Sequence, residues 1–138
     1  MPKKLPIEVY KEIYSKVPRL CAELLIKNKE GILLVKRNIP PGEGLWYLPG
    51  GTIYFDESIE EVLKRVAKEE LGVKVEIIRF FNVLDWYKSE NAFGHSVSLI
   101  YEARIVEGEI KLDYQSSEFK YFKNLPENIM NEYLRFDF

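Results

Sequence analysis

The segment 58–71 constrains the fold of this chain more than any other part, because it has the pattern of one strong amphipathic helix. Ser58 and Glu61 have the spacing of a capping box at its start. Gly72 follows as a residue that can end a helix in the left-handed conformation. One face of the helix is apolar at helical spacing, which predicts that it packs inward; this face consists of Ile59, Val62, Leu63 and Val66.

The segments around this helix predict mostly strands. Residues 20–26 and 32–36 flank a short turn, as in a hairpin, and residues 73–87 and 96–106 are rich in branched and aromatic side chains. Shorter strands are expected at 46–48, 109–112 and 119–122, and further helices at 7–17 and 127–134. Because strands outnumber helices and do not alternate regularly with them, we expect an α/β (α+β) fold, layered αβα, with a mixed sheet.

Composition limits the classes of function. A chain of 138 residues with 46% hydrophobic residues fits a single domain, 1–138. The 20 basic and 22 acidic residues leave a net charge of -2, which disfavours binding to long nucleic acid or to an anionic membrane. The one cysteine, Cys21, excludes an internal disulfide framework. Since no stretch has the pattern of a signal peptide or a membrane span, we expect a cytoplasmic protein.

Two adjacent carboxylates stand at the end of the helix. At about 100° per residue, Glu70 falls inside the apolar arc and Glu69 at its margin. A buried carboxylate is costly unless it is paired or bound to a metal, and two close together also repel. A divalent cation would relieve both costs, whereas ion pairs with Lys or Arg are the simpler alternative. Before the helix, Gly50 and Gly51 permit a tight loop whose backbone carbonyl can turn toward a metal.

The complete pattern resembles the box of the Nudix family, G-x5-E-x7-R-E-U-x-E-E-x-G-U, where U is aliphatic. The matching residues are Gly51, Glu57, Arg65, Ala67, Glu69, Glu70, Gly72 and Val73. Every fixed position matches except one, where Val66 replaces a glutamate. The preceding segment 44–51 is also typical of the family, and the resemblance covers roughly residues 18–134. It divides the chain into an N-terminal helical extension, 1–17, and the Nudix domain, with the box region at 50–73.

The resemblance implies an αβα sandwich that holds Mg²⁺ or Mn²⁺ and hydrolyses a nucleoside diphosphate linked to another group. Metal ligands would be the Gly50 carbonyl, Glu69, Glu70 and Gln115, which are the oxygen donors that hard ions prefer. Gly51, Glu57 and Arg65 would brace the loop against the helix. Arg37 and Lys36 could hold the leaving phosphate, although solvated charges that end a strand are an equal alternative. The implied partner is a small nucleotide substrate, and the family also allows a homodimer.

Val66 leaves the general base unassigned, and three interpretations stay open. The base could lie elsewhere, with Glu118 as the first candidate and Asp113 or His95 as others; the catalytic set would then be Glu69, Glu70, Arg65 and Glu118. GDP-mannose mannosyl hydrolases also lack this glutamate and attack the sugar carbon, but this chain has Ser96 and Ser116 where they use a tyrosine and a histidine. A catalytically silent nucleotide-binding module is the third, and the two retained glutamates argue against it.

Overall fold

A mixed β-sheet forms the centre of the computed structural model, which describes residues 3–138. Residues 1 and 2, counted in the predicted N-terminal extension, lie outside the described residues. The helices are α1 (Ile7–Tyr14) and α2 (Ile59–Val66), with a π-helical turn, Ala67–Leu71, and a late 3₁₀ turn, Asn131–Arg135. The strands are β1 (Arg19–Asn28), β2 (Gly31–Arg37), β3 (Trp46–Tyr47), β4 (Gly50–Thr52), β5 (Lys74–Asp85), β6 (Ser96–Glu107) and β7 (Ser116–Phe122). The predicted α+β class with a mixed sheet is confirmed.

Strand β1 connects the two halves of the sheet. The strand order is β3-β2-β1-β6-β5, with β4 paired to β1 and β7 paired to β2. β1 and β6 are parallel, and the other pairs are antiparallel. The residues from Cys21 to Ile26 are all buried, so this strand is covered on both faces. Other elements of the chain therefore pack against both faces of β1.

Helix α2 has the predicted capping box and the predicted inward face. The Ser58 hydroxyl accepts a hydrogen bond from the Glu61 backbone N–H at 3.1 Å, and the Glu61 carboxylate accepts one from the Ser58 N–H at 3.0 Å. Val66 is 1% exposed, and Val62 and Leu63 are fully buried. The α-helix gives way to the π-helical turn after Val66 and ends at Gly72 with φ 68°. The predicted single α-helix is therefore wrong in its last turn.

Three further local predictions differ from the structure. The segment 109–112 forms no strand. A hydrogen bond from Lys111 N to Leu71 O holds it to the end of the box helix, which is α2 together with the π-helical turn. The segment 127–134 is not one helix, because the backbone at 128–130 bonds to Trp46 and pairs with β3. Strand β4 was missed, since its sequence is Gly-Gly-Thr. No helix within residues 3–138 is long and apolar enough to cross a membrane.

Candidate active site

A cleft of about 910 Å³ runs along β1, β4 and β6, between the N-terminal helix and the end of the box helix. Seven residues predicted from the sequence line it: Arg37, Gly50, Gly51, Arg65, Glu69, Glu70 and Gln115. Its size lies within the range of about 300–1,000 Å³ typical of small-molecule sites. The structure therefore brings these predicted site residues to one cleft.

The predicted brace between the loop and the helix is a bidentate ion pair. Arg65 donates from Nε to Glu57 Oε2 at 2.7 Å and from Nη2 to Glu57 Oε1 at 3.0 Å. Arg65 also donates to the Thr52 carbonyl at 2.8 Å, and its guanidinium lies 3.7 Å from the centre of the Tyr54 ring. Partial burial favours the neutral form of Glu57, but the hydrogen bonds and charge of Arg65 hold its pKa below the usual value. This pair joins the end of the loop after β4 to the last turn of α2.

Glu70 is a buried carboxylate at the edge of the cleft. It is 8% exposed, and among residues 3–138 it forms neither a hydrogen bond nor an ion pair. A Cβ atom at Gly51 would lie 3.9 Å from Glu70 Oε2, so the carboxylate lies against the glycine loop. Burial, with the nearby charge of Asp113, raises the pKa of Glu70 to about 8, although Arg37 opposes the shift. No cationic side chain of residues 3–138 lies within ion-pair distance of the Glu70 carboxylate.

The donors around Glu70 fit a divalent cation with a preference for oxygen. Glu69 lies beside it with 56% of its side chain exposed, and accepts a hydrogen bond from Arg65 at 3.3 Å. Gln115 donates its amide nitrogen to Asp113 at 3.0 Å, which leaves its amide oxygen as an acceptor. Across residues 3–138, no group of three or more His, Cys, Asp or Glu side chains is placed to hold a metal. An ion here would therefore use backbone and amide oxygens beside the two carboxylates.

Val66 stands where the family has a glutamate, and Glu118, the first candidate to replace it as the general base, does not lie in the cleft. Val66 is buried, with a methyl carbon 3.4 Å from the position of a Cβ at Gly51. Glu118 lies on β7, pairs with Lys36 at 3.8 Å and has 58% of its side chain exposed. Both residues of that pair lie outside the lining of the cleft. The structure therefore does not bring Glu118 or Lys36 to the other site residues.

The two other candidate bases have different surroundings. His95 pairs with Asp85 at 2.9 Å, has 41% of its side chain exposed and does not line the cleft. Asp113 accepts hydrogen bonds from the backbone and side chain of Gln115, both at 3.0 Å, and its charge acts on Glu70. Of the three candidates for the base, only Asp113 has an interaction with the predicted site.

Sequence reasoning missed Glu23, a buried carboxylate in the floor of the cleft. It is 5% exposed and accepts a hydrogen bond from the Tyr133 hydroxyl. Burial raises its pKa to about 7, against hydrogen bonds from Ser98, Tyr133 and Trp86. The available signal was a single acidic residue within an apolar run that has the pattern of a buried strand.

The mixed sheet, the braced box helix and the cleft with its buried carboxylate define a hydrolase of the Nudix type. The NUDIX domain model matches residues 17–133, and the chain belongs to this family. The match begins at the end of the predicted N-terminal extension and takes in all seven strands.

Several relatives agree with this assignment. The chain is 30% identical to the low-salt glycan biosynthesis protein Agl8 of Haloferax volcanii, over 87% of this chain and 80% of that protein. It is 32% identical to an ADP-ribose pyrophosphatase of Methanocaldococcus jannaschii, over 86% and 74% of the two chains. The solved structure of a MutT Nudix hydrolase from Burkholderia pseudomallei is similar, with a TM-score of 0.75 and 30% identity over 83% of this chain and 91% of that one.

Proposed function

We propose that this Nudix hydrolase cleaves the diphosphate of a nucleotide sugar with the help of Mg²⁺ or Mn²⁺. The observation that carries the proposal is Glu70, a carboxylate 8% exposed and without a cation partner, next to the glycine loop. A chain that only needed a stable helix end would be more stable with an apolar side chain there. The presence of a buried carboxyl group at the cleft, in place of an apolar side chain, therefore favours a bound cation and argues against a silent module.

Glu69, Glu70, the Gly50 carbonyl and the Gln115 amide oxygen would hold the ion. When bound, such an ion neutralises charge on the diphosphate and polarises the attacked centre. Arg37 also lines the cleft and supplies a fixed positive charge there. Its Nε donates to the Ile39 carbonyl at 3.0 Å, and its guanidinium lies 5.5 Å from the centre of the Tyr47 ring. Arg37 could therefore bind the leaving phosphate without first becoming ordered.

Two relatives and the lining of the cleft support a nucleotide sugar. One relative is named for glycan biosynthesis and another for ADP-ribose, which is a nucleoside diphosphate attached to a sugar. Besides the carboxylates of the box helix, the lining of the cleft includes hydroxyl groups and the carboxylate of Glu23. Hydroxyl and carboxylate oxygens are suited to hydrogen bonds with sugar hydroxyls. A modified nucleotide is the alternative substrate of the same reaction class.

Attack at the sugar carbon is the second candidate, and Val66 is the observation that favours it. The side chain is buried and cannot activate water, as in the GDP-mannose mannosyl hydrolases that the sequence resembles. Hydrolysis in oxygen-labelled water separates the two reactions. Label in a phosphate product means attack at phosphorus, whereas label in the free sugar, with an intact nucleoside diphosphate, means attack at carbon.

The test of the proposed function compares Glu70→Gln with the matched control Glu60→Gln on a panel of nucleotide sugars, ADP-ribose, dinucleoside polyphosphates and nucleoside triphosphates. Glu60 lies on the same helix, with 68% of its side chain exposed. With Mg²⁺ present, we expect Glu70→Gln to lower kcat by about 100-fold or more, on the scale of losing one essential transition-state contact. The control should keep full activity, and neither change should lower the melting temperature.

A Glu70→Gln variant with unchanged Mg²⁺-dependent turnover would refute the site. If no compound were hydrolysed by the unaltered protein while a nucleotide raised its melting temperature, the silent binding module would be the correct assignment.

A further inference from the structure

The cleft has two chemically different ends because neighbouring residues of β4 face opposite sides of the sheet. A Cβ at Gly51 would point toward Val66 and Glu70, whereas a Cβ at Gly50 would lie 2.7 Å from the side chain of Glu23. Thr52 faces the same side as Gly50 and is paired with Cys21 on β1. The metal end of the cleft is therefore on one side of β4, and a second end is on the other.

Arg19 lies at this second end, held only by neutral hydroxyl groups. Its Nε and Nη2 donate to Ser96 Oγ at 3.0 and 2.8 Å, and its Nη1 donates to the Tyr10 hydroxyl. Nη1 also lies 3.4 Å from Thr52 Oγ1. No carboxylate of residues 3–138 forms an ion pair with this guanidinium, although it lies partly buried on the first residue of β1.

Hydroxyl partners orient an arginine but carry no opposite charge. A carboxylate or phosphate adds opposite charge and can accept two parallel hydrogen bonds from a guanidinium, so a fixed and partly desolvated guanidinium favours an anionic ligand. Three other arginines within residues 3–138 have acidic partners: Arg65 has Glu57, Arg79 has Glu102, and Arg104 has Glu76. Arg19, like Arg37, lines the cleft without forming an ion pair with a carboxylate of the described residues.

The N-terminal segment adds positive charge to the cleft. Lys3, Lys4 and Lys11 line it, in a chain whose net charge is -2, and Lys11 directly follows Tyr10, which bonds to Arg19. Of the acidic residues in the lining, Glu69 and Glu70 lie at the metal end, within the part of the chain that the structure describes. Glu23 lies in the floor, where the charge of Arg19 opposes the rise in its pKa although the two side chains form no ion pair. A local excess of cations in a cleft attracts anionic groups and orients them.

We propose that Arg19 binds an anionic group on the part of the substrate attached to the diphosphate. The enzyme would then prefer a substrate whose sugar carries a carboxylate or a phosphate over the neutral sugar of the same nucleotide. This specificity rests on the proposed function, because during turnover the diphosphate lies at the metal end while the attached group lies at Arg19. Binding of the anionic group at Arg19 does not itself require the metal. A carboxylate and a phosphate share the same charged oxygen acceptors, and matched substrates distinguish them.

The alternative role for Arg19 is structural, as an anchor that joins α1 to the sheet through Tyr10. The variants Arg19→Gln, Arg19→Lys and Tyr10→Phe separate the two roles. Arg19→Gln removes the charge and keeps a side-chain donor, whereas Arg19→Lys keeps the charge. Tyr10→Phe removes the link to α1 and leaves the guanidinium in place. Melting temperatures of all three variants report the loss of the anchor independently of specificity.

The experiment measures kcat and KM for UDP-glucose and UDP-glucuronate, which differ only in one carboxylate, and for UDP-glucose 6-phosphate as the phosphate arm. The unaltered enzyme should prefer at least one anionic substrate. Arg19→Gln should raise KM for that substrate about 10-fold or more, as expected for loss of a charged hydrogen bond. KM for the neutral substrate should change less than about 3-fold. Arg19→Lys should recover part of the preference, and Tyr10→Phe should affect all three substrates equally.

Calorimetric binding of the same three compounds, without added metal, supplies a readout that does not depend on turnover. The proposal is overturned if the unaltered protein shows no preference for an anionic sugar by either method, or if Arg19→Gln weakens all three compounds equally. A preference for the carboxylate alone identifies a uronic acid, and a preference for the phosphate alone identifies a sugar phosphate. If nothing is hydrolysed but binding still shows the Arg19-dependent preference, the proposed hydrolysis fails while this site stands.

Discussion

Replacement of Glu57 by glutamine tests whether the brace stabilises the site as the geometry indicates. The glutamine amide has nearly the same shape as the carboxylate, but it carries no negative charge and has only one oxygen. It therefore cannot replace both oxygens that accept the Arg65 hydrogen bonds, at 2.7 and 3.0 Å. The Glu57 side chain is 4% exposed and that of Arg65 is 20% exposed, so solvent compensates little of the loss. Hydrogen bonds to charged groups contribute about 1.5–3 kcal/mol and neutral ones about 1 kcal/mol, which gives an expected loss of roughly 2–3 kcal/mol.

The loss should depend on pH in a defined direction. The folded pKa of Glu57 lies below its unfolded value of about 4.3, so its contribution is fully present above that value. As the pH falls through the lower, folded pKa, the carboxyl becomes protonated and the contribution disappears. The difference in unfolding free energy between the original protein and Glu57→Gln should therefore be constant near pH 7 and shrink below about pH 4.

Urea unfolding followed by circular dichroism, repeated between pH 7 and pH 3, measures this difference. Glu76→Gln is the matched control, because Glu76 pairs with Arg104 at 2.6 Å but both side chains are more than half exposed. Exposed pairs contribute about 0–1 kcal/mol, so the control should lose less than half as much stability. A loss at Glu57 below about 0.5 kcal/mol at pH 7, or one as large at pH 3 as at pH 7, would refute the reasoning.

Three other substitutions test packing, one beside the site and two at glycines outside the lining of the cleft. Val66→Glu places a carboxylate at a 1% exposed position beside Glu70, so we expect a loss of roughly 3 kcal/mol without metal, partly recovered when Mg²⁺ is added during thermal unfolding. An equal loss with and without Mg²⁺ would contradict a metal at Glu70. Gly31→Ala should cost about 3 kcal/mol or more, since its Cβ would lie 2.0 Å from the Phe122 carbonyl oxygen at φ +124°. Gly44→Ala, at φ +84° in open space, should cost only about 1 kcal/mol in the same urea assay.

The features that the sequence predicted well depend on local spacing. The capping box at Ser58 and Glu61 needs only three residues of helix to form. Glu57 and Arg65 are eight residues apart, a separation of about two turns of α2. This fixed spacing brings the two side chains to the same side of the helix. The hairpin of β1 and β2 was predicted for the same reason, because two apolar segments flank a short polar turn.

The features that the sequence did not predict depend on pairing between distant segments. Lys36 and Glu118 were assigned to the site separately, but they are register partners on β2 and β7 and neutralise each other. The expected helix at 127–134 does not form over its full length, because the backbone of residues 128–130 forms hydrogen bonds with Trp46 on β3. The burial of Glu23 in the cleft could not be predicted locally, because its hydrogen-bond partner, Tyr133, is 110 residues away along the chain.

The π-helical turn Ala67–Leu71 sets the direction of the carboxylates inside it. A π-helical turn has one more residue per hydrogen-bonded ring than an α-helical turn, so it behaves as a single inserted residue that the chain absorbs within one turn. Deleting Lys68 would restore α-helical spacing and leave Gly72 and β5 nearly in register, but Glu69 and Glu70 would take different angles around the helix axis. Glu70 would then no longer lie against Gly51. A deletion at this turn should therefore keep the fold and lose the metal site, although it preserves every carboxylate.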